Sequence, residues 1–189
     1  MNTKTYGKLI NKAGKGCYTT PDSVKGVIQY ITRTNKNPKD GLIAWGGLGI
    51  LESKGIDSVI EQFHIVQKLH TRKGSFGRYI DHEIFSFTPE CENLLTANKI
   101  DLDQLAREMA YSFYDRDHCQ VLYGVHLSSK ENAHMHIHFA INTVSYDTGN
   151  KRHDNKKQTR EENADLQEII AAKLRDGTLP TPQSKAMMS

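Results

Sequence analysis

From residue 134 the chain reads His134-Met135-His136-Ile137-His138-Phe139-Ala140-Ile141-Asn142, polar and apolar side chains alternating. Successive side chains of a β-strand point to opposite faces, so His134, His136, His138 and Asn142 share one face. Met135, Ile137, Phe139 and Ile141 make the other face apolar, and the pattern predicts a strand from His134 to about Tyr146. Gln120 to Leu127 alternates in the same way, as does Tyr79 to Phe87. Helical spacing governs other stretches. Behind Thr20-Pro21, an N-cap and a first-turn proline, Val24, Val27, Ile28 and Ile31 fall at i, i+3, i+4 and i+7, which predicts a helix from about Pro21 to Thr34. Tyr30 lies on it about 120° from the centre of the apolar stripe, so its hydroxyl is free to point into a cleft. Asp57 to about His70 is predicted helical, with Val59, Ile60, Phe63 and Val66 inward. Asp101 caps the clearest helix, Asp101 to Asp117, and Glu161 to Arg175 closes the series. Asn35 to Gly49, rich in Gly and Pro around Trp45, is expected to be a loop, with Trp45 either a core anchor or a base-stacking platform.

The last two strands are joined by only about six residues, too few for a parallel crossover. They form an antiparallel hairpin, and the expected fold is α+β: a central antiparallel sheet flanked by helices. A turn near Lys130-Glu131-Asn132 sets His126 opposite His136 and Gly124 opposite His138. Directly opposed residues share a face about 5 Å apart, so His126 joins the histidine row. Gly124 is expected to leave space beside it. Slipping the register by one residue would turn the apolar side chains of both strands outward. Three imidazoles on a rigid sheet make a candidate metal site with open positions, as catalytic sites have. The donor set alone leaves Zn, Mn, Fe, Co and Ni open.

Composition narrows the class. With 189 residues, 37% of them hydrophobic, and a mean hydropathy of −0.61, the chain is sized for one soluble globular domain. No apolar run approaches the roughly 20 residues that span a bilayer. The first residues, Met1-Asn2-Thr3-Lys4, lack the apolar core of a signal peptide, and Cys17, Cys91 and Cys119 form no CxxC pair. Both features set the expectation of a cytoplasmic protein with reduced thiols. The net charge of +3 is uninformative, but its distribution marks two basic segments. One holds Lys68, Arg72, Lys73 and Arg78; the other holds Lys151, Arg152, Lys156, Lys157 and Arg160. Each fits either a solvated surface or a phosphate-tracking loop.

These residues together carry a resemblance. An HxH on a strand, an asparagine four residues after its second histidine, an upstream histidine and an N-terminal helical tyrosine look like the HUH endonucleases, and more narrowly like the MOBP-type conjugative relaxases. Val24 to Thr34 (VKGVIQYITRT) resembles the first motif of that family, His82 to Glu90 (HEIFSFTPE) the second, and His126 to Ser145, ending HMHIHFAINTVS, the third. Gly149 to Asp154 (GNKRHD) continues in the family manner. The resemblance implies that Tyr30 is the nucleophile and that His126, His136 and His138 hold a divalent metal, Mn²⁺ or Mg²⁺. A phenol, with a pKa near 10, needs activation or close geometry for this task. Counting back from Asn142 selects His136 and His138; counting forward from His126 with the family's shorter loop selects His134 and His136, so His134 is the alternative ligand. Where the family has an acid two residues after the first histidine this chain has Ser128, and Glu131 is a candidate replacement. Asn142, Asp81 and His82 are candidate supporting groups, the latter two as base or phosphate contact, and Tyr18 and Tyr6 are rival nucleophiles.

The implied reaction is nicking of single-stranded or hairpin origin-of-transfer DNA through a 5′-phosphotyrosyl intermediate, later rejoined, on a plasmid or integrative conjugative element. The implied partners are relaxosome accessory proteins and a type IV secretion coupling protein, in the bacterial cytoplasm, with the enzyme transferred alongside the DNA and not inserted into a membrane. Two alternatives remain at this level: a rolling-circle replication initiator, and a non-catalytic metal-dependent DNA-binding module. The expected organisation is a nuclease domain over 1–175, with 176–189 a polar tail or linker toward a further C-terminal region.

Overall fold

Five antiparallel strands form one sheet in the order β1-β3-β5-β4-β2, so the histidine strand lies at its centre. The structure is a computed structural model and describes residues 5–11, 17–33, 40–71, 76–128, 134–153 and 155–177. β5 (His136–Ser145) is flanked by β3 (Ile80–Phe87) and β4 (Cys119–Ser128), and the edges are β1 (Gly7–Asn11) and β2 (Asp40–Leu48). The expected hairpin register holds: His126 faces His136 and Gly124 faces His138. Its physical origin is the apolar alternation, because Val121, Tyr123 and Val125 of β4 and Ile137, Phe139 and Ile141 of β5 are all buried in one core.

That core lies under α3 (Pro89–Ala97), α4 (Leu102–Asp117) and α5 (Lys156–Gly177), through residues such as Leu95, Met109, Phe113, Leu166 and Ile170. A second, smaller core covers the opposite face under α1 (Asp22–Ile31) and α2 (Ile56–Gln67), where Ile28, Ile31, Val59 and Phe63 meet Ile80, Leu122 and Ala140. The helices therefore sandwich the sheet, and the histidines lie on the α1/α2 side. The α+β expectation is met.

Four segments depart from the pattern reading. The expected loop at Asn35 to Gly49 is the edge strand β2 over its described part, Asp40–Leu48. Its glycines serve close approach, not turning: a Cβ on Gly46 would lie 2.6 Å from the Tyr123 hydroxyl, and one on Gly47 would lie 2.6 Å from the Val121 carbonyl. Trp45 packs half-buried against the α1/α2 core. β1 is short, and with Gly7 inward beside Leu9 and apolar Ile10 outward its residue types do not alternate, so no period showed. α3 had a legible start, since the Thr88 hydroxyl accepts from the Cys91 amide at 3.2 Å and Pro89 occupies the first turn, but its apolar face is narrow. α5 begins five residues before the predicted Glu161, because the Asn155 side chain accepts from the amides of Lys157 and Gln158 at 2.9 and 3.0 Å. It also runs through Asp176 and Gly177; 178–189 lies outside the described residues. Cys17, Cys91 and Cys119 are free thiols, and no described helix is long and apolar enough to cross a membrane.

Candidate metal centre

Nitrogen atoms of His126, His136 and His138 lie within 4.8 Å of one another, with ring centroids 4.5 to 5.4 Å apart. Each ring is oriented by what its other nitrogen binds. The Nδ1–H of His136 donates to the His134 carbonyl at 2.9 Å, leaving Nε2 as a lone pair. His138 Nδ1 lies 2.9 Å from His82 Nε2, and its own Nε2 is buried with no protein partner. A bare, buried imidazole nitrogen on a side chain clustered with two other imidazoles is what a cation site requires. With Nε2 of His138 as ligand, Nδ1–H donates to His82, and His82 Nδ1–H then faces the Tyr18 hydroxyl at 3.2 Å. Burial and the surrounding imidazoles hold the pKa of His138 far below its ordinary value, so it stays neutral and able to ligate. His126 Nε2–H donates to the Ile31 carbonyl at 2.7 Å, and its Nδ1 accepts from Arg33 Nη2 at 2.8 Å.

His134 is not part of this cluster. β5 starts at His136, so the His134 ring stands off the ladder and lies toward α3, with Nδ1 3.6 Å from Glu92 Oε1. Glu92 also accepts from the Met135 amide at 2.6 Å, which fixes the entry to the strand. His134 serves the site by its carbonyl. Gly124 does not leave space either. A Cβ there would lie 2.6 Å from Ile31 Cγ2 and 3.1 Å from the Ile31 carbonyl, so the glycine lets the end of α1 press onto the sheet. Gly124→Ala is expected to destabilise the fold by about 1–3 kcal/mol by pushing Ile31 away, and to weaken metal binding through His126; urea unfolding and a Mn²⁺ titration read the two effects.

α1 brings Tyr30 to the triad. Its ring meets His138 edge-on, with centroids 5.4 Å apart, and stands 5.9 Å from His82. Tyr18, Ser23, Gly26, Val27, Tyr30 and His82 line an open cleft of about 440 Å³. Tyr18 shares this cleft and hydrogen-bonds His82, whereas Tyr6 packs against the core on the other side of the sheet. Sequence reasoning passed over two contributors: Tyr18 as partner of His82, and Arg33, whose guanidinium carbon lies 4.9 Å above the Tyr30 ring. Arg33 follows Tyr30 by three positions, the helical-neighbour spacing, and that was its available signal. Because an outer partner sets ligand orientation, His82→Ala is expected to weaken Mn²⁺ binding by about 10- to 100-fold in a calorimetric titration.

Several expected contacts are corrected. Asp81 is on the opposite face of β3 from His82, where Arg78 Nε (2.9 Å) and Arg152 Nη1 (2.8 Å) hold its carboxylate; it is no base or phosphate contact for the triad. Arg152 is no DNA contact, since its side chain is 1% exposed and pairs with Asp81, Glu83, Asp117 and Glu162. Lys151 is half-buried, donating to the Arg78 carbonyl and the Thr143 hydroxyl and covering the Phe76 ring, and burial pushes its pKa down to about 8. Asn142 is fully buried; its amide donates to the Phe63 carbonyl (3.1 Å) and Gln120 Oε1 (2.9 Å), tying β5 to α2 away from the metal ligands. Lys68 is exposed beside Glu61, and Lys156 and Lys157 are exposed at the start of α5, on the helix layer behind the sheet. Arg72, Lys73 and Glu131 lie outside the described residues.

The family model described as relaxase, MobA/VirD2-like nuclease domain, matches residues 30–173. No curated protein matches the sequence.

Proposed function

The chain belongs to the MobA/VirD2-like relaxase family by that match, and we propose that it cuts one strand of origin-of-transfer DNA by attack of Tyr30 on a phosphodiester. The observation that carries this reading is the Tyr30 ring standing 5.4 Å from His138 at the mouth of the cleft. The tyrosine oxygen bonds to phosphorus, the 3′ oxygen leaves with a proton, and a 5′-phosphotyrosyl ester joins protein to DNA. Ester replaces ester, so the 3′-hydroxyl can reverse the step and rejoin the strand.

His126, His136 and His138 are the residues that would hold a divalent cation, and the bare Nε2 of His138 fits that role. Such a cation, when bound, would supply polarisation of the non-bridging phosphate oxygens and neutralise charge developing on them. Of the two expected ions, Mn²⁺ accepts imidazole more readily than Mg²⁺. His82 and the His134 carbonyl fix the tautomers of two ligands, and Tyr18 anchors His82 from the cleft side. Lys68 at the end of α2 is an exposed cation available to the DNA backbone outside the cleft, while Lys156 and Lys157 lie on the far side of the sheet and Arg78 lends its charge to Asp81. In this reading the domain works in conjugative transfer with accessory and coupling proteins in a bacterial cytoplasm.

The test is a labelled single-stranded oligonucleotide carrying the origin of the element that encodes this chain. A covalent protein–DNA adduct that forms with Mn²⁺ or Mg²⁺ and not in EDTA, and that retains a label placed on the 3′ side of the break while a 5′-end label is released on a fragment with a free 3′-hydroxyl, supports the reading. Binding without adduct under any divalent cation would instead make this a metal-dependent binding module.

A further inference from the structure

Arg33 occupies an unusual place. α1 ends at Ile31, and Arg33 has φ +58, a left-handed conformation that L side chains rarely adopt. That turn folds its side chain back over the Tyr30 ring and brings Nη2 to 2.8 Å from His126 Nδ1. The left-handed ending of α1 thus places a cation between a phenol and a metal-ligand triad, and that position points to a function for the cation.

The hydrogen bonds of His126 give that function its content. Its Nε2–H is committed to the Ile31 carbonyl, so the nitrogen with a lone pair for a metal is Nδ1, the atom to which Arg33 donates. A guanidinium and a divalent cation cannot both take that lone pair. We infer that Arg33 couples cation entry to phosphate binding: it holds His126 Nδ1 until a divalent cation takes that nitrogen, and then turns its planar fork to an oxygen of the DNA phosphate beside Tyr30. Guanidinium suits both partners, since it donates to a neutral nitrogen and pairs bidentately with phosphate. The inference rests on the metal and nucleophile reading above, and goes beyond it by assigning the order of events and the residue that enforces it.

The test uses the whole chain and two readouts other than cleavage. In calorimetry without DNA, Arg33→Gln is expected to bind Mn²⁺ about tenfold more tightly than the parent, because one charge-assisted hydrogen bond and one adjacent positive charge no longer compete. On a Tyr30→Phe background, the same change is expected to weaken single-stranded oligonucleotide binding about tenfold in Mn²⁺ and to leave it unchanged in EDTA, where the guanidinium stays on His126. Arg33→Lys, which keeps the charge and loses the fork, is expected to show the same directions with smaller changes, and circular dichroism confirms that each variant is folded. Equal or weaker Mn²⁺ binding in both variants overturns the inference, as does an equal loss of DNA binding in EDTA and in Mn²⁺, which would make Arg33 a fixed phosphate contact. If the parent itself binds no Mn²⁺, the metal reading falls and takes this inference with it; if the parent binds and the variants match it, the inference falls alone.

Discussion

Tyr30→Phe is expected to abolish the covalent protein–DNA adduct and to lower strand cleavage by on the order of 10⁴-fold or more, as removal of a nucleophile does. The phenyl ring keeps its edge-on contact with His138, so the triad, Mn²⁺ affinity and DNA binding should stay within about twofold of the parent. Denaturing gel analysis of a labelled oligonucleotide gives the adduct, and calorimetry gives the two affinities. Tyr18→Phe is the control, because Tyr18 lines the same cleft and lies 3.2 Å from His82. That variant loses a hydrogen bond to His82 but retains the adduct. Adduct persisting in Tyr30→Phe and vanishing in Tyr18→Phe would transfer the nucleophile role to Tyr18.

The second large effect is on stability. Arg152→Ala is expected to cost about 3–5 kcal/mol, because it strands the carboxylates of Asp81, Glu83, Asp117 and Glu162 in the interior with one cation fewer. At roughly 2–4 °C per kcal/mol for a domain of this size, the midpoint of thermal unfolding falls by about 6–20 °C. Arg116 and Arg78 remain on the rim of the cluster, paired with Asp117 and Glu162 and with Asp81, which keeps the loss within that range. Acid should act on the same network. Burial raises the pKa of Asp117, but hydrogen bonds and charge from Arg116 and Arg152 outweigh it and hold the carboxyl below its usual range. A carboxyl with a depressed folded pKa stabilises fully above its unfolded value, near 4, and loses that contribution as pH falls below it. Urea midpoints of the parent should therefore decline below about pH 4, and the decline should be shallower in Arg152→Ala. Equal slopes in both proteins would mean that the network is not ionised as the structure draws it.

How far the sequence reached differs from residue to residue. His126 was legible as a partner of His136 and His138 because strand pairing is periodic and both strands bury their odd-numbered positions in one core. Tyr30 was legible as a cleft residue because a ten-residue helix with one apolar stripe fixes what lies off that stripe. His134 could not be placed by period alone, since alternation continues one step past the point where Glu92 ends the ladder. Arg152 and Lys151 look like solvated cations in a run of basic residues; their burial depends on partners from β3, α4, α5 and the turn before β3.

The sequence by itself determined the hairpin, its register, the α+β class, and the placing of three imidazoles on one face of a strand pair. These follow from short-range periodicity, where each side chain's direction is set by its neighbours a few residues away. Only the tertiary structure decided that Tyr30 stands against His138, which nitrogens of the three histidines are taken up by hydrogen bonds, that His134 contributes a carbonyl and not a ring, and that Arg33 lies between Tyr30 and His126. Those outcomes depend on contacts across as many as 95 residues of chain, such as His126 with the Ile31 carbonyl, and on one left-handed turn at the end of α1. Local pattern carries no record of a long-range partner; packing supplies it.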